Sequence, residues 1–112
     1  MSQIIQAGRL FEDLPERLSG EDFLSLLEGP GFRLERIVST GQATPAGEWY
    51  EQPHSEWVAL LTGSAGLLIA GEAAPRRLAP GDWLLIPAGL RHRVEWTDPD
   101  RPTVWLALHY DG

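Results

Sequence analysis

The sequence lacks two reactive residue types, because it contains no cysteine and all nine of its basic residues are arginines. Without cysteine the chain forms no disulfide bond and offers no thiolate to a metal ion. Without lysine it cannot form a Schiff base with a carbonyl substrate. Sixteen acidic residues give a formal net charge of −7, and such a surface repels phosphate backbones and anionic lipids. We therefore expect neither nucleic acid nor a membrane as a partner.

Long apolar runs are also missing. No apolar run approaches the roughly 20 residues that a membrane-spanning helix requires. The first residues lack the basic start and the long apolar stretch of a secretory signal, so the expected location is the cytoplasm. The 112 residues, 43% of them hydrophobic, are enough for one domain with a single core.

Turn-forming residues are abundant instead, since twelve glycines and nine prolines are spread along the chain. They separate short apolar or alternating segments, which is typical of strands joined by tight turns. The predicted strands are residues 32–38, 57–61, 67–69, 76–78, 83–86, 92–97 and 103–110. Seven or eight short strands at regular intervals predict an all-β fold, an antiparallel sandwich or barrel.

The segment before the first of these strands has a different pattern. Ser19 followed by Asp22 is typical of a capping box, and the Gly-Pro-Gly sequence at 29–31 would end a helix. Between residues 20 and 28 the apolar residues recur at helical spacing, namely Phe23, Leu24, Leu26 and Leu27. We therefore predict a short amphipathic helix over 20–28, packed on the outside of the sheet.

Histidine is scarce, and His54, His92 and His109 are the only imidazoles in the chain. Residues two apart on an extended strand point to the same side. Gln52, His54 and Glu56 therefore share a face, provided that the intervening proline does not break the alternation. His92 begins a different predicted strand. Two imidazoles and a carboxylate that meet from neighbouring strands would form three ligands of a divalent first-row metal, with coordination positions left open for a substrate.

The segment Gly81–His92 (GDWLLIPAGLRH) resembles the second conserved motif of the cupin superfamily, in which glycine, five residues, Pro-x-Gly, two residues and histidine follow one another. Glu56, six residues and Gly63 are similar to the end of the family's first motif. The chain is thus similar to small single-domain cupins, most of them of unassigned activity. This resemblance implies a single antiparallel β-barrel of the jelly-roll type, and it implies that Glu56 and His92 are metal ligands.

The chain departs from the first motif where the family carries His-x-His before its glutamate. Counting back three residues leaves Tyr50 and Gln52 at those positions, and counting back four leaves Trp49 and Glu51. Either His54 occupies a ligand position, or Gln52 supplies a weaker oxygen ligand. The metal set implied by the resemblance is therefore His54, Glu56, His92 and Gln52. Iron, manganese, nickel and zinc are not distinguished by these residues.

Strand alternation also selects candidate pocket residues. His92 and Trp96 share one face of their predicted strand, so Trp96 and Tyr50 are candidate pocket walls, which would favour an apolar or aromatic ligand. His109, near the end of the last predicted strand, is the third pocket candidate. A position at the sheet edge is the simpler interpretation of that histidine.

The leading functional hypothesis is a barrel that binds a divalent metal ion and a small organic ligand, with any reaction left open. The alternative is a metal-free barrel that binds or senses a small molecule, which the altered first motif favours. The predicted division is a helical segment over residues 1–30 and the barrel over residues 31–112. Unpaired edges at the helical segment and at strand 32–38, together with the resemblance, imply a homodimer.

Overall fold

The fold is built from antiparallel strands. The computed structural model describes residues 3–14 and 20–111, and within them it contains eight strands. They are β1 (Asp22–Gly29), β2 (Phe32–Ser39), β3 (Ser55–Thr62), β4 (Ala65–Ile69), β5 (Arg76–Leu78), β6 (Trp83–Ile86), β7 (His92–Thr97) and β8 (Thr103–Tyr110). The all-β prediction is confirmed, and the last four strands have the predicted bounds.

The strands form two sheets, one with the order β1-β2-β8-β3-β6 and one with the order β5-β4-β7. β8 is the middle strand of the larger sheet and pairs with β2 on one side and β3 on the other. Side chains alternate between the two faces of each strand, so the apolar residues of the inner faces pack together. The core consists of Val58, Leu60, Ala65, Leu67, Ile69, Leu78, Ile86, Trp105 and Ala107. Their removal from water holds the two sheets against each other.

The predicted helix over residues 20–28 is wrong, because residues 22–28 lie in β1. This strand pairs with β2 along its length, and Pro30-Gly31 is the two-residue connection of the resulting hairpin. Ser19, the predicted helix cap, lies outside the described residues. In the part of the chain that the structure describes, no helix has the length and apolar character needed to cross a bilayer.

A β-bulge explains why the sequence of β1 imitates a helix. Ser25 pairs with Glu35 and Leu27 pairs with Leu34, so Leu26 is an extra residue in the strand. The bulge shifts the side-chain alternation by one position, and the apolar residues on its two sides therefore lose the period of two. Pairing with β2 decides the structure, since tertiary context overrides a weak local preference.

The additional strand also moves the edge of the larger sheet. β2 is paired on both sides, by β1 and β8, so the edges of this sheet are β1 and β6.

The N-terminal residues are attached to the larger sheet by a buried arginine. Arg36 of β2 donates hydrogen bonds to the carbonyl oxygens of Leu10 and Glu12, at 3.2 and 2.8 Å. These two bonds hold the N-terminal residues against the sheet.

Candidate functional site

Both sheets line a cavity of about 360 Å³, which lies in the range of small-molecule sites. Most of its surface is apolar, and the apolar side chains that line it are Phe23, Ile37, Val58, Leu67, Ile86, Val94 and Trp105. The polar lining consists of Glu21, Arg33, Glu35, Tyr50, Gln52, Glu56, His92 and His109. Among the described residues, three carboxylates thus share the cavity with one arginine and two imidazoles.

The structure brings Glu56 and His92 together in this cavity. Oε1 of Glu56 lies 3.5 Å from Nε2 of His92, and both side chains are buried. The Nδ1–H of His92 donates to the carbonyl oxygen of Leu90 at 3.1 Å, which directs Nε2 toward the carboxylate. Burial by itself lowers the pKa of His92, but the hydrogen bond to Glu56, the Leu90 carbonyl and the charge of Glu56 together raise it.

The loop that carries Tyr50 and Gln52 is fixed beside His92 by backbone hydrogen bonds. The backbone N–H of Tyr50 donates to the carbonyl oxygen of His92 at 2.8 Å, and the backbone N–H of His92 donates to the carbonyl oxygen of Tyr50 at 3.0 Å. The N–H of Gly89 donates to the carbonyl of Gln52 at 2.7 Å. Both side chains line the cavity. The side-chain oxygen of Gln52 is buried and accepts no hydrogen bond from the described residues.

The hydroxyl group of Tyr50 stays protonated near neutral pH. Burial, followed by the negative charges of Glu21 and Glu56, raises its pKa above the ordinary value, and a hydrogen bond with Thr44 opposes this only in part. A neutral phenol forms hydrogen bonds well. It is a poor metal ligand, because ligands of this kind bind metal in their deprotonated form.

His54 does not join Glu56 and His92. It lies in the bend before β3, and its Nε2 is 3.0 Å from Nδ1 of His109. The Nε2 of His109 is in turn 2.9 Å from Oε1 of Glu35. His54 therefore belongs to a second polar group, the Glu35–His109–His54 chain, next to the Glu56–His92 pair.

Glu35 and Arg33 are cavity residues that the sequence analysis missed. In the register of the larger sheet, Arg33 lies opposite His109, and His109 lies opposite Glu56. Directly opposite residues share a face of the sheet, so all three point into the cavity. Nε of Arg33 is 3.5 Å from Oε2 of Glu35. The alternation Arg33-x-Glu35-x-Ile37 is the signal that could have found both, since it places two charged residues on the face of an apolar one.

The structure does not bring Trp96 to the cavity. Trp96 pairs with Gly66, and the pairing then skips Glu95, which is the extra residue of a second β-bulge. The bulge reverses the side-chain alternation, so Trp96 does not share the face of His92. Its indole packs against Gly66, and the guanidinium of Arg77 lies 5.5 Å from the ring centroid.

The predicted metal set is only partly assembled. Glu56, His92 and Gln52 line the same cavity, while His54 is hydrogen-bonded to His109. Among residues 3–14 and 20–111, no three histidine, aspartate or glutamate side chains are grouped so that they could hold a metal ion.

The remaining donors do not fit a tightly held divalent ion. Stable sites use at least three strong ligands, whereas here one imidazole and one carboxylate are joined only by the amide oxygen of Gln52, a weak ligand. A proton also competes for Nε2 of His92, because the contacts of this imidazole raise its pKa. The residues present therefore do not fit the metal that the resemblance implies.

Comparison with known families matches residues 36–109 to the cupin domain. Among curated proteins, the chain is 32% identical over 106 residues to the dimethylsulfoniopropionate lyase DddQ of Ruegeria pomeroyi (strain DSS-3), a match that covers 92% of this chain and 50% of that protein. The chain thus spans about half the length of this relative.

Solved structures extend the comparison. A provisional mannose-6-phosphate isomerase of Ralstonia eutropha JMP134 superposes with a TM-score of 0.95, at 52% identity over 96% of this chain and 100% of that chain. The structure of DddQ superposes with a TM-score of 0.61, at 27% identity over 85% of this chain and 51% of that chain. A cupin superfamily protein of Desulfitobacterium hafniense DCB-2 shares the fold, with a TM-score of 0.72 at 15% identity over 88% of this chain and 84% of that chain. The family match contains both motifs and five of the eight described strands in full, and the chain belongs to the cupin family.

Proposed function

We propose that this protein binds a small organic molecule in the cavity of its barrel without the help of a bound metal ion. The observation that carries the proposal is the cavity itself, with a volume of about 360 Å³ and a mainly apolar surface. Its polar groups include the buried Glu56–His92 pair. Small-molecule sites are typically apolar cavities in which a few polar groups orient the ligand.

The charges of the cavity favour a ligand that carries a positive group. In the described part of the lining, the carboxylates of Glu21, Glu35 and Glu56 stand against one guanidinium, that of Arg33, and two imidazoles. The apolar wall lowers the local dielectric constant and so strengthens the attraction between ligand and carboxylates. A ligand with a cation at one end and a carboxylate at the other could use Arg33 as well.

The substrates named for two relatives differ in whether they carry a positive charge. Dimethylsulfoniopropionate carries a sulfonium cation and a carboxylate, whereas mannose 6-phosphate carries a phosphate anion. The excess of carboxylates supports the first class of ligand, because a phosphate would face mainly like charges. We therefore expect dimethylsulfoniopropionate to bind more tightly than mannose 6-phosphate.

Titration of both compounds, and of a panel of small amines and carboxylates, into isotopically labelled protein tests the proposal by NMR. The protein is kept in chelator, so that no divalent metal contributes. We expect the resonances of cavity residues such as Val58 and Ile86 to shift on binding. Val58→Phe should fill part of the cavity and abolish binding. Leu85→Phe, an equivalent change on the exposed side of β6, should leave binding unchanged.

Two outcomes would overturn the proposal. In the first, no compound shifts the cavity resonances. In the second, binding appears only when a divalent metal is restored, and elemental analysis finds about one metal ion per chain. The second outcome would support the metal-binding hypothesis, with Glu56, His92 and Gln52 as ligands.

A further inference from the structure

We propose that Glu35, His109 and His54 form a proton relay, which connects the cavity to the protein surface and serves a bound molecule that gains or loses a proton. The inference goes beyond ligand binding, because it assigns acid–base chemistry to the cavity. The family resemblance gives no role to Glu35 or an acid–base role to His109, and it offers His54 only as a metal ligand.

The three side chains form an unbroken line of hydrogen bonds. Oε1 of Glu35 is 2.9 Å from Nε2 of His109, and Nδ1 of His109 is 3.0 Å from Nε2 of His54. The two imidazole rings meet edge to face, with centroids 5.0 Å apart and planes at 81°. Each ring nitrogen of His109 therefore has its own partner. A neutral imidazole donates from one nitrogen and accepts at the other, so it can pass a proton between two neighbours.

Burial differs along the line in the direction that a relay requires. Glu35 and His109 are 8% and 6% exposed, and both line the cavity. His54 is partly exposed, and it lies on the loop before β3, outside the cavity lining. Glu35 is thus the inner end, next to a bound molecule, and His54 is the outer end, since it is the most exposed of the three.

The proton transfer balances at each residue. A protonated His54 gives its Nε2 proton to Nδ1 of His109, while His109 gives its own Nε2 proton to Oε1 of Glu35. His54 becomes neutral, the carboxylate of Glu35 becomes a carboxylic acid, and His109 changes from one neutral tautomer to the other. The acid can then protonate the ligand, and the reverse sequence carries a proton from the ligand to solvent.

Two further charged groups face the relay from the strands on either side of β8. Arg33 on β2 and Glu56 on β3 both lie opposite His109 in the sheet register, and Nε of Arg33 contacts Oε2 of Glu35 at 3.5 Å. Their opposite charges flank His109, so neither sign dominates at the centre of the relay. The fitting ligand is a small molecule whose ionisable or C–H-acidic group lies against Glu35.

Long-range ¹H–¹⁵N NMR of the histidine rings tests the relay in the complete, ligand-free chain, because this spectrum reports which ring nitrogen carries the proton. Glu35→Gln replaces the carboxylate with an amide of the same shape. We expect the ring nitrogens of His54 to shift in this variant, although His54 is bonded to His109 and not to Glu35. Glu72→Gln, at an exposed position between β4 and β5 that is paired with Arg76, is the control and should leave the His54 signals in place.

His54→Gln is the second variant, and it keeps the test decisive if the buried Glu35→Gln change prevents folding. Glutamine fills the position but cannot pass a proton on, so the ring N–H of His109 should exchange with solvent several-fold more slowly. A residue that merely caps His109 would leave this exchange unchanged or faster, since glutamine shields it no better than histidine. Unchanged His54 signals in folded Glu35→Gln, or exchange that is not slowed in His54→Gln, would overturn the relay.

Discussion

Glu56 and His92 couple the stability of the protein to pH. Burial would lower the pKa of His92, but Glu56 and the Leu90 carbonyl raise it above the ordinary value of 6.5. The folded protein therefore holds this proton more tightly than the unfolded chain. The resulting contribution to the free energy of unfolding is complete below the unfolded pKa and is lost as the pH rises through the raised, folded pKa.

Glu56→Gln is expected to reverse this pH dependence, so that the His92 contribution to the free energy of unfolding is lost as the pH falls. With a neutral amide in place of the carboxylate, burial outweighs the remaining contact with Leu90, and the pKa of His92 should fall below its ordinary value. NMR titration of His92 and the pH profile of the free energy of unfolding measure the change. Glu51→Gln removes an exposed carboxylate from the loop before β3 and serves as control. A His92 titration that is the same in Glu56→Gln and in the natural chain would contradict the assignment.

Single residues differ in how far the sequence predicts them. Motif spacing identifies Glu56 and His92, because a few intervening residues and their turns set the direction of each side chain. Motif spacing does not identify Glu35 as a site residue. Its partner His109 is 74 residues away, and only the register of β2 and β8 brings the two together. His54 is misplaced by alternation because β3 begins after it, so its side chain does not follow the face of the strand.

At the scale of whole strands, two β-bulges account for the main errors of the sequence analysis. Leu26 is the extra residue that makes β1 resemble a helix, and Glu95 is the extra residue that turns Trp96 away from the cavity. A bulge depends on the partner strand, so no local period reveals it. The bounds of β5 to β8 were predictable because proline-containing turns separate them in the sequence itself, with Pro-Gly after β5, Pro-x-Gly after β6 and a loop with two prolines after β7.

The connection between β3 and β4 depends on a glycine for two separate reasons. Gly63 has φ of 83°, and a Cβ there would come within 2.7 Å of the backbone Cα of the fully buried Thr103. Gly71 has a similar φ of 90° but open space around it. We expect Gly71→Ala to lower the free energy of unfolding by about 1–2 kcal/mol, from the backbone conformation alone. Gly63→Ala adds overpacking and should cost about 2–5 kcal/mol.

Denaturant unfolding of the two variants measures the difference. Since the backbone strain is common to both, the excess loss in Gly63→Ala reports the close approach of β8 to this turn. Equal losses would show that the turn relaxes away from Thr103 at little cost.

At the scale of the whole molecule, the open edges of the larger sheet remain to be covered. β1 and β6 are these edges, and an edge strand with exposed apolar side chains is a template for pairing with another chain. On β1, Leu24 and Leu27 are 45% and 53% exposed. The predicted helix would have left β2 with a free edge, whereas the observed hairpin moves this edge outward to β1.

We propose that β1 pairs with β1 of a second copy to form a homodimer. Sedimentation should find a dimer for the natural chain, and Leu24→Lys with Leu27→Lys should shift it to monomer, because desolvating two ammonium groups opposes pairing. Leu85→Lys, on the 50% exposed leucine of the other edge strand, should leave the dimer intact. If Leu85→Lys alone dissociates the dimer, β6 forms the interface. A natural chain that sediments as a monomer at every concentration means that charge repulsion, with a net charge of −7 per copy, outweighs the apolar gain at β1.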